Sequence, residues 1–276
     1  MSGDPAGEPL VSVIVPTKDS GRTIERCLSS IRNQSYKRIE LIVVDNNSTD
    51  GTPETSRKFA DKVLSHGPER SAQRNLGAKV SSGKYLLFVD SDMILSENVV
   101  RECVEKCERE GYDALYIPER IVGEGFWIKV RDFERSFYNA TVIDAVRFVR
   151  KDLFERVGGF DEDLTGPEDW DLDRRIRDAG AKIGIISTNI FHDEGNFGLR
   201  KYLSKKSYYT KMGFQRYRQK WRNDEVVRKQ LGASYRLFWV FVEKGKWRRL
   251  LSHPLLTLGM YYLRFRVSLQ YVKDTI

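Results

Sequence analysis

The sequence predicts an α/β protein built on a doubly wound, mostly parallel sheet flanked by helices, with a helical, basic C-terminal extension. Three observations carry this prediction. Apolar runs of strand length alternate with helically spaced segments through the first 90 residues, the connections between them are short, and positive charge gathers in the last third of the chain. The run "LVSVIV" (residues 10–15) is β-branched and reads as a buried strand; Ile24, Cys27, Leu28 and Ile31 then recur at helical spacing. "IELIVV" (residues 39–44) is the next strand, a short helix follows Pro53, and Val63 and Leu64 mark a brief third strand. Ala72, Leu76 and Val80 define a helix and residues 85–89 a further strand. Residues 96–110 form a helix closed by Gly111. "YDALYIPE" and an irregular aromatic stretch with Phe126, Trp127, Phe133, Phe137 and Tyr138 come next. The segment from Asp144 to Ser187 supplies a strand, a turn at Gly158-Gly159, a helix and a last strand. Residues 1–9 read as a flexible tail, 10–195 as the α/β body and 196–276 as the basic aromatic extension.

The 276 residues carry a net charge of +8, but residues 197–276 contain 19 Lys and Arg against 4 Asp and Glu, which leaves the body acidic. Only three cysteines occur, and Cys103 and Cys107 fall i,i+4 beside Val99, Val100 and Val104, as buried thiols on a core face rather than metal ligands. The odd count favours a reducing, cytoplasmic setting. The N-terminal residues lack a basic then apolar leader pattern. No run reaches the roughly 18 apolar residues of a membrane-spanning helix. "LLSHPLLTLGMYYLRFRV" is interrupted by Ser252, His253, Pro254 and Arg264, and suits a membrane surface better than a crossing.

In open parallel sheets, ligands bind beyond the carboxyl ends of the strands. Polar loops fall there three times: Pro16-Thr17-Lys18-Asp19, the stretch from Asp45 to Gly51, and Asp90-Ser91-Asp92. Each alone is compatible with turn chemistry; together they mark one rim. If the strand alternation continues past residue 89, Asp90 and Asp92 point the same way, and such a pair demands a positive partner. There is no glycine-rich phosphate loop of the G-x-x-x-x-G-K or G-x-G-x-x-G kind. A divalent cation at Asp90 and Asp92 could instead neutralise a bound diphosphate.

"LTGPEDWDLDRRIRDAG" reads as a helix in which Thr165 and Glu168 match a capping box and Gly180 closes the end. Asp171–Arg175, Asp173–Arg177 and Arg174–Asp178 can pair along its surface, leaving Asp169 without a local partner. For Glu168 the alternative to a catalytic part is capping alone; for Asp169 it is a first-turn acid favoured by the helix dipole.

The motifs "VSVIVPTKDSGRTIERCLSSIRNQSYKRIELIVVDNNSTDGT", "RSAQRNLGAKVSSGKYLLFVDSD" and "VGGFDEDLTGPEDWDLDRRIRDAG" together resemble the inverting family 2 glycosyltransferases of the GT-A fold. The likeness covers about residues 10–195 and makes that body a nucleotide-sugar-binding and catalytic domain. It implies a UDP- or GDP-sugar donor, with Pro16, Thr17, Asp19 and Asp45 around the base or ribose and Arg74 near the nucleotide. It places Asp90 near the ribose, Asp92 and His192 on a Mn²⁺ or Mg²⁺ ion, and Asp169 as the base beside Glu168. His192, in "NIFHDEGNFG", reads as the start of a polar loop, and structural use is the alternative to metal ligation.

The tail interleaves Lys and Arg with aromatic residues. It is too apolar for a nucleic-acid arm, and Trp239, Trp247, Tyr261 and Tyr262 suit a membrane interface. "QRYRQKW" departs from the Q-x-x-R-W of processive synthases because Gln219 follows Arg218, which favours transfer of a single sugar. The expectation is therefore a metal-dependent, inverting transfer to a lipid-linked or glycan acceptor, at the cytoplasmic face of a membrane. The rivals are a haloacid-dehalogenase-like phosphotransferase, disfavoured by Ile94 and the late position of the D-x-D, and a non-catalytic nucleotide-sugar- or polyanion-binding module.

Overall fold

The computed structural model describes residues 7–275; residues 1–6 of the expected N-terminal tail lie outside the described residues. The chain runs β1 (Val11–Thr17), α1 (Ile24–Arg32), β2 (Ile39–Asp45), α2 (Thr52–Arg57), β3 (Lys62–Ser65), α3 (Arg70–Val80), β4 (Tyr85–Phe88), β5 (Met93–Leu95) and α4 (Val99–Glu110). It continues through β6 (Ala114–Tyr116), β7 (Glu119–Glu124), α5 (Phe126–Arg135), β8 (Phe148–Arg150), α6 (Lys151–Arg156), α7 (Glu168–Asp178), β9 (Ile183–Ile185) and β10 (Ile190–Asn196). The main sheet has the order β3-β2-β1-β4-β8-β6-β9 and is parallel except at β8. A second sheet, β5-β10-β7, stands beside it.

Alternation along the strands sorts the core. Val11, Val13 and Val15 of β1 pack with α1 and α4 on one face, where Cys27, Cys103 and Cys107 are buried as the spacing predicts. Ile14, Leu86 and Phe88 meet α3, α6 and α7 on the other. Helices thus cover both faces of the sheet, which is the doubly wound arrangement. Gly77 lets α3 lie against β1: a Cβ there would come within 2.5 Å of Ile14 Cγ2. Arg74, one turn earlier, is thereby delivered under the ends of the strands.

Two stretches differ from expectation. The aromatic segment read as irregular contains the amphipathic helix α5, whose Ile128, Val130 and Phe133 are buried, Val130 and Phe133 of them in a core shared with the extension. His192 sits inside β10, paired to Met93 of β5 and Ile121 of β7, and does not begin a loop. β10 is polar because it bridges two short strands instead of lying within the main sheet.

The extension consists of α8 (Leu199–Met212), α9 (Phe214–Lys220), α10 (Glu225–Leu231), short turns from Tyr235, and helices Trp247–Ser252 and Pro254–Thr275. Tyr235, Val240, Phe241, Met260 and Leu263 share a core with Val130, Phe133 and Phe137. Within this seam Glu134 pairs with Arg131 at 2.7 Å and with Arg264 at 2.6 Å. Burial favours the neutral acid, but Arg131 and then Arg264 outweigh it and hold the carboxyl at about 2, below its ordinary 4.5. A depressed folded-state pKa stabilises fully above the unfolded value and is lost as pH falls through the folded one. Urea unfolding should therefore show stability falling between about pH 5 and pH 2. Glu134→Gln should flatten that fall, and an unaltered acid limb would contradict the pairing.

Candidate functional site

The ends of β1, β2 and β4 meet on one rim. Thr17 and Asp45 are register partners, and Val89 still donates to the Ile14 carbonyl before the chain turns at Asp90. The Gln73 amide ties the Thr17 and Val44 carbonyls together at 2.9 and 2.6 Å. Asp45 is buried and accepts from the Ser48 backbone and hydroxyl, while the Asp19 amide donates to Ser48 Oγ at 2.7 Å. Asp19 adopts a φ of 44°, which folds the first loop against the second, and its carboxylate accepts from the Thr49 amide. Thr17 Oγ1 is buried without a hydrogen-bond partner, and Pro16 precedes it on β1. Buried hydroxyls are rarely left so; one facing this rim is suited to a polar ligand.

Arg74 is the centre of the site. Its side chain is 1% exposed, with Nη2 donating to Asp90 Oδ1 at 2.6 Å and Nη1 to Asp169 Oδ1 at 2.9 Å. Glu168, fully buried, lies 3.8 Å from the same Nη1 and also takes a hydrogen bond from Arg70. Desolvation works against the Arg74 charge, but Asp169 and Asp90 more than restore it. Burial likewise disfavours an ionised Asp90, yet Arg74 and then Arg147, 3.7 Å away, hold its carboxyl well below the ordinary range.

Asp90 and Asp92 meet different partners. β4 ends at Phe88, the strand alternation stops, and the two acids diverge. Asp90 turns to the arginines; Asp92 meets His192, whose Nε2 lies 3.0 Å from Asp92 Oδ2. His192 Nδ1 is 3.2 Å from Glu119, which also pairs with Arg147 and Arg135 at 3.1 and 3.3 Å. Burial opposes a charged imidazole, but the hydrogen bonds to Asp92 and Glu119 lift its pKa to about 10. Among the described residues no group of three or more His, Cys, Asp or Glu side chains forms a metal cluster. Asp92 and His192 nevertheless fit a Mg²⁺- or Mn²⁺-type site whose other ligands are phosphate and water. Glu119 on the second ring nitrogen is the carboxylate–imidazole arrangement that orients a ligating histidine.

The expected capping box is absent. Helix α7 begins at Glu168 with Pro167 as its cap, because Gly166-Pro167 breaks the backbone after Thr165 and Glu168 is drawn to Arg70 and Arg74. Its other oxygen accepts from the Gly166 amide at 2.5 Å. Asp171–Arg175, Asp173–Arg177 and Arg174–Asp178 do pair along the helix. Asp169, without a local partner, finds Arg74 across 95 residues of sequence. It opens on a cavity of about 150 Å³ lined also by Phe88, Arg147, Phe160 and Trp170.

Arg70, Glu119 and Arg147 are site residues that the sequence reading missed. The signals were an i,i+4 arginine pair in "RSAQR", the adjacent Glu119 and Arg120 within "YIPERIV" and the single charge within "AVRFV".

Acids and arginines are thus gathered where the open α/β sheet ends. The model of glycosyl transferase family 2 matches residues 12–160, and a glycosyltransferase-like family 2 model matches residues 128–223. The chain belongs to glycosyltransferase family 2. It is 29% identical over 191 residues to glycosyltransferase AglE of Haloferax volcanii, covering 62% of each chain. Identity to glycosyltransferase GlyG of Streptococcus pneumoniae is 32% over 113 residues, 38% of each chain. The match thus spans less than two thirds of these relatives' lengths. Among solved structures, the mannosyltransferase PcManGT of Pyrobaculum calidifontis, in complex with GDP-Man and Mn²⁺, superposes with a TM-score of 0.65 at 21% identity, covering 99% of this chain and 87% of that one. TarS of S. aureus with UDP-GlcNAc gives 0.58 at 17%, covering 96% and 90%. Both support the GT-A fold.

Removing Glu119 would take a buried carboxylate from Arg147, Arg135 and His192 at once, leaving each with a single acid. Glu119→Ala should cost about 3 kcal/mol or more in urea unfolding; a change within about 0.5 kcal/mol, the range of ordinary surface substitutions, would contradict the network.

Proposed function

We propose that this protein is an inverting, metal-dependent glycosyltransferase that moves one sugar from a UDP- or GDP-sugar to an acceptor hydroxyl at a membrane surface. The observation that carries this reading is Asp169: a partly exposed carboxylate at the mouth of a cavity, aimed by the buried Arg74 that also fixes Asp90. The neighbours' GDP-Man and UDP-GlcNAc suggest the donor class.

In the proposed reaction Asp169 takes the acceptor hydroxyl's proton as that oxygen bonds to the anomeric carbon. The bond to the diphosphate breaks on the opposite face, and its electron pair leaves with the nucleoside diphosphate. Thr17, Asp19 and Asp45 are suited to hold the base and ribose, and Asp90 to receive a ribose hydroxyl. Asp92 and His192 would hold a divalent cation, which when bound supplies charge stabilisation to the leaving diphosphate. Glu168 serves by anchoring Arg70 and Arg74 rather than by touching substrate.

The membrane part of the proposal rests on the extension. Leu251, Leu255 and Leu258 are about 70% exposed, beside exposed Trp239, Trp247 and Phe265, among basic residues such as Lys244, Arg248 and Arg266. Apolar side chains in a cationic frame suit an anionic bilayer interface. No helix among the described residues is long and apolar enough to cross a membrane.

Asp169→Asn should bind donor with Mn²⁺ as the wild type does, by thermal shift, while transfer falls about 10²–10⁴-fold; near-normal turnover would remove Asp169 as the base. Wild-type protein should sediment with vesicles containing anionic phospholipid at low salt. The triple change of Leu251, Leu255 and Leu258 to Ser should leave it in the supernatant, and unchanged sedimentation would discard this face.

A further inference from the structure

The extension closes on the helical turn that carries the proposed base. Helix α7 starts at Glu168 with Pro167 as its cap, which offers no side-chain acceptor, so the first turn depends on partners from elsewhere in the chain. Among the described residues the Asp169 carboxylate is held by Arg74 alone, and it is 35% exposed. Its aim therefore follows the backbone of that turn. Glu168 ties the turn to α3 through Arg70 and Arg74. A second tie comes from the extension and is made on Asp171, which is fully buried. Asp171 Oδ1 accepts from the Trp221 indole Nε1 at 2.8 Å and lies 2.9 Å from Lys220 Nζ, while Oδ2 accepts from Arg175 Nε within the helix at 2.8 Å. Residues two apart on a helix point about 200° from each other, so the extension grips this turn on the side away from Asp169. The tryptophan of "QRYRQKW" is thus occupied by Asp171.

The same segment holds the loop that leads into the turn. Lys220 Nζ also reaches Asp161 Oδ2 at 2.6 Å, and Arg216 Nη1 donates to the Asp163 carbonyl at 2.8 Å. Gly213, just before α9, lies so close to the loop that a Cβ there would come within 2.1 Å of the Thr165 carbonyl oxygen and 2.7 Å of Pro167 Cδ. Contacts with the extension therefore follow the chain from Asp161 to Asp171, the whole approach to the base. Among the described residues Arg216, Lys220 and Trp221 make no bond to Thr17, Asp45, Asp90 or Asp92. The clamp acts on the side of the proposed base and leaves the strand-end rim alone.

We propose that Lys220 and Trp221 are positioning residues for Asp169: acting through Asp171, they fix the first turn of α7, so that the extension completes the transfer site. The role of Asp169 as base rests on the transferase reading above; the clamp on α7 does not. Displacing a reacting group by about 1 Å can cost about 10²-fold in rate. Loss of one of the two ties should therefore show chiefly in turnover.

The test has two arms, both on the full chain, with Trp221→Phe, which keeps a ring and removes the N–H, and with Lys220→Met and Lys220→Arg. The first is deuterium exchange at the amides of residues 171–174, of which Asp171 donates to the Pro167 carbonyl at 2.9 Å. Trp221→Phe and Lys220→Met should exchange there at least about tenfold faster than the wild type, with α3 and β1 unchanged; unaltered exchange overturns the clamp. The second is steady-state transfer with Mn²⁺. Both variants should lose at least about tenfold in kcat with the donor KM within about twofold, Lys220→Arg should recover part of the loss, and Trp221→Phe added to Asp169→Asn should slow transfer no further than Asp169→Asn alone. A matching loss of donor affinity, a further fall in the double variant, or no gain from Lys220→Arg over Lys220→Met overturns the positioning of Asp169. Should Lys220→Met not fold, Trp221→Phe decides both arms. Failure of the wild type to turn over any nucleotide-sugar would instead defeat the transferase reading and leave the exchange result standing.

Discussion

A single buried guanidinium organises this molecule. Arg74 stands where α3 passes beneath β1, in a space that Gly77 opens, and its two arms join an acid after β4 to an acid at the start of α7. A charge so placed is tolerated only because each arm is answered, and the acids tolerate burial only because of the charge. The strand-end rim and the proposed base are therefore one electrostatic unit, although Asp90 and Asp169 are far apart in sequence. Had either acid been placed on a mobile loop without this link, about 1 Å of looseness would erode the alignment that transfer needs.

The unit extends outward in steps. Arg147 passes from Asp90 to Glu119, and Glu119 passes to His192 and so to Asp92. The small sheet exists to hold this second half: β10 sets His192 between β5 and β7, while Arg135 of α5 closes on Glu119 and Asp144. α5 in turn is the bearing for the extension, through the shared apolar core and the Glu134 ion pairs. The basic tail is tied to the body through α5 and also through α7 and the loop before it, where Asp224 pairs with Arg174 and Lys220 with Asp161 and Asp171, and Arg236 lies over Trp170.

Much of the fold was legible where physics is local. β1, β2 and β4 announce themselves as β-branched or aromatic runs, and α1, α3, α4 and α7 as apolar residues at helical spacing. The salt-bridge ladder on α7 followed from i,i+4 spacing alone. What was not legible depends on partners distant in sequence. α5 buries Val130 and Phe133 against the extension, and β10 is polar because its register is set by neighbours. Thr165 and Glu168 satisfied a local capping rule that Arg70 and Arg74 overrode with stronger, buried ion pairs. In the same way the counter-charge for Asp90 turned out to be arginine, while Asp92 meets His192.

The claim that Arg74 couples the two acids is tested most directly by a double-mutant cycle on unfolding free energy, combining Arg74→Met with Asp169→Asn. The structure predicts a coupling of about 1 kcal/mol or more, within the range found for contacting charged pairs. Additivity of the two changes to within about 0.3–0.5 kcal/mol, as for independent sites, would show that Arg74 does not hold Asp169 and would contradict the account.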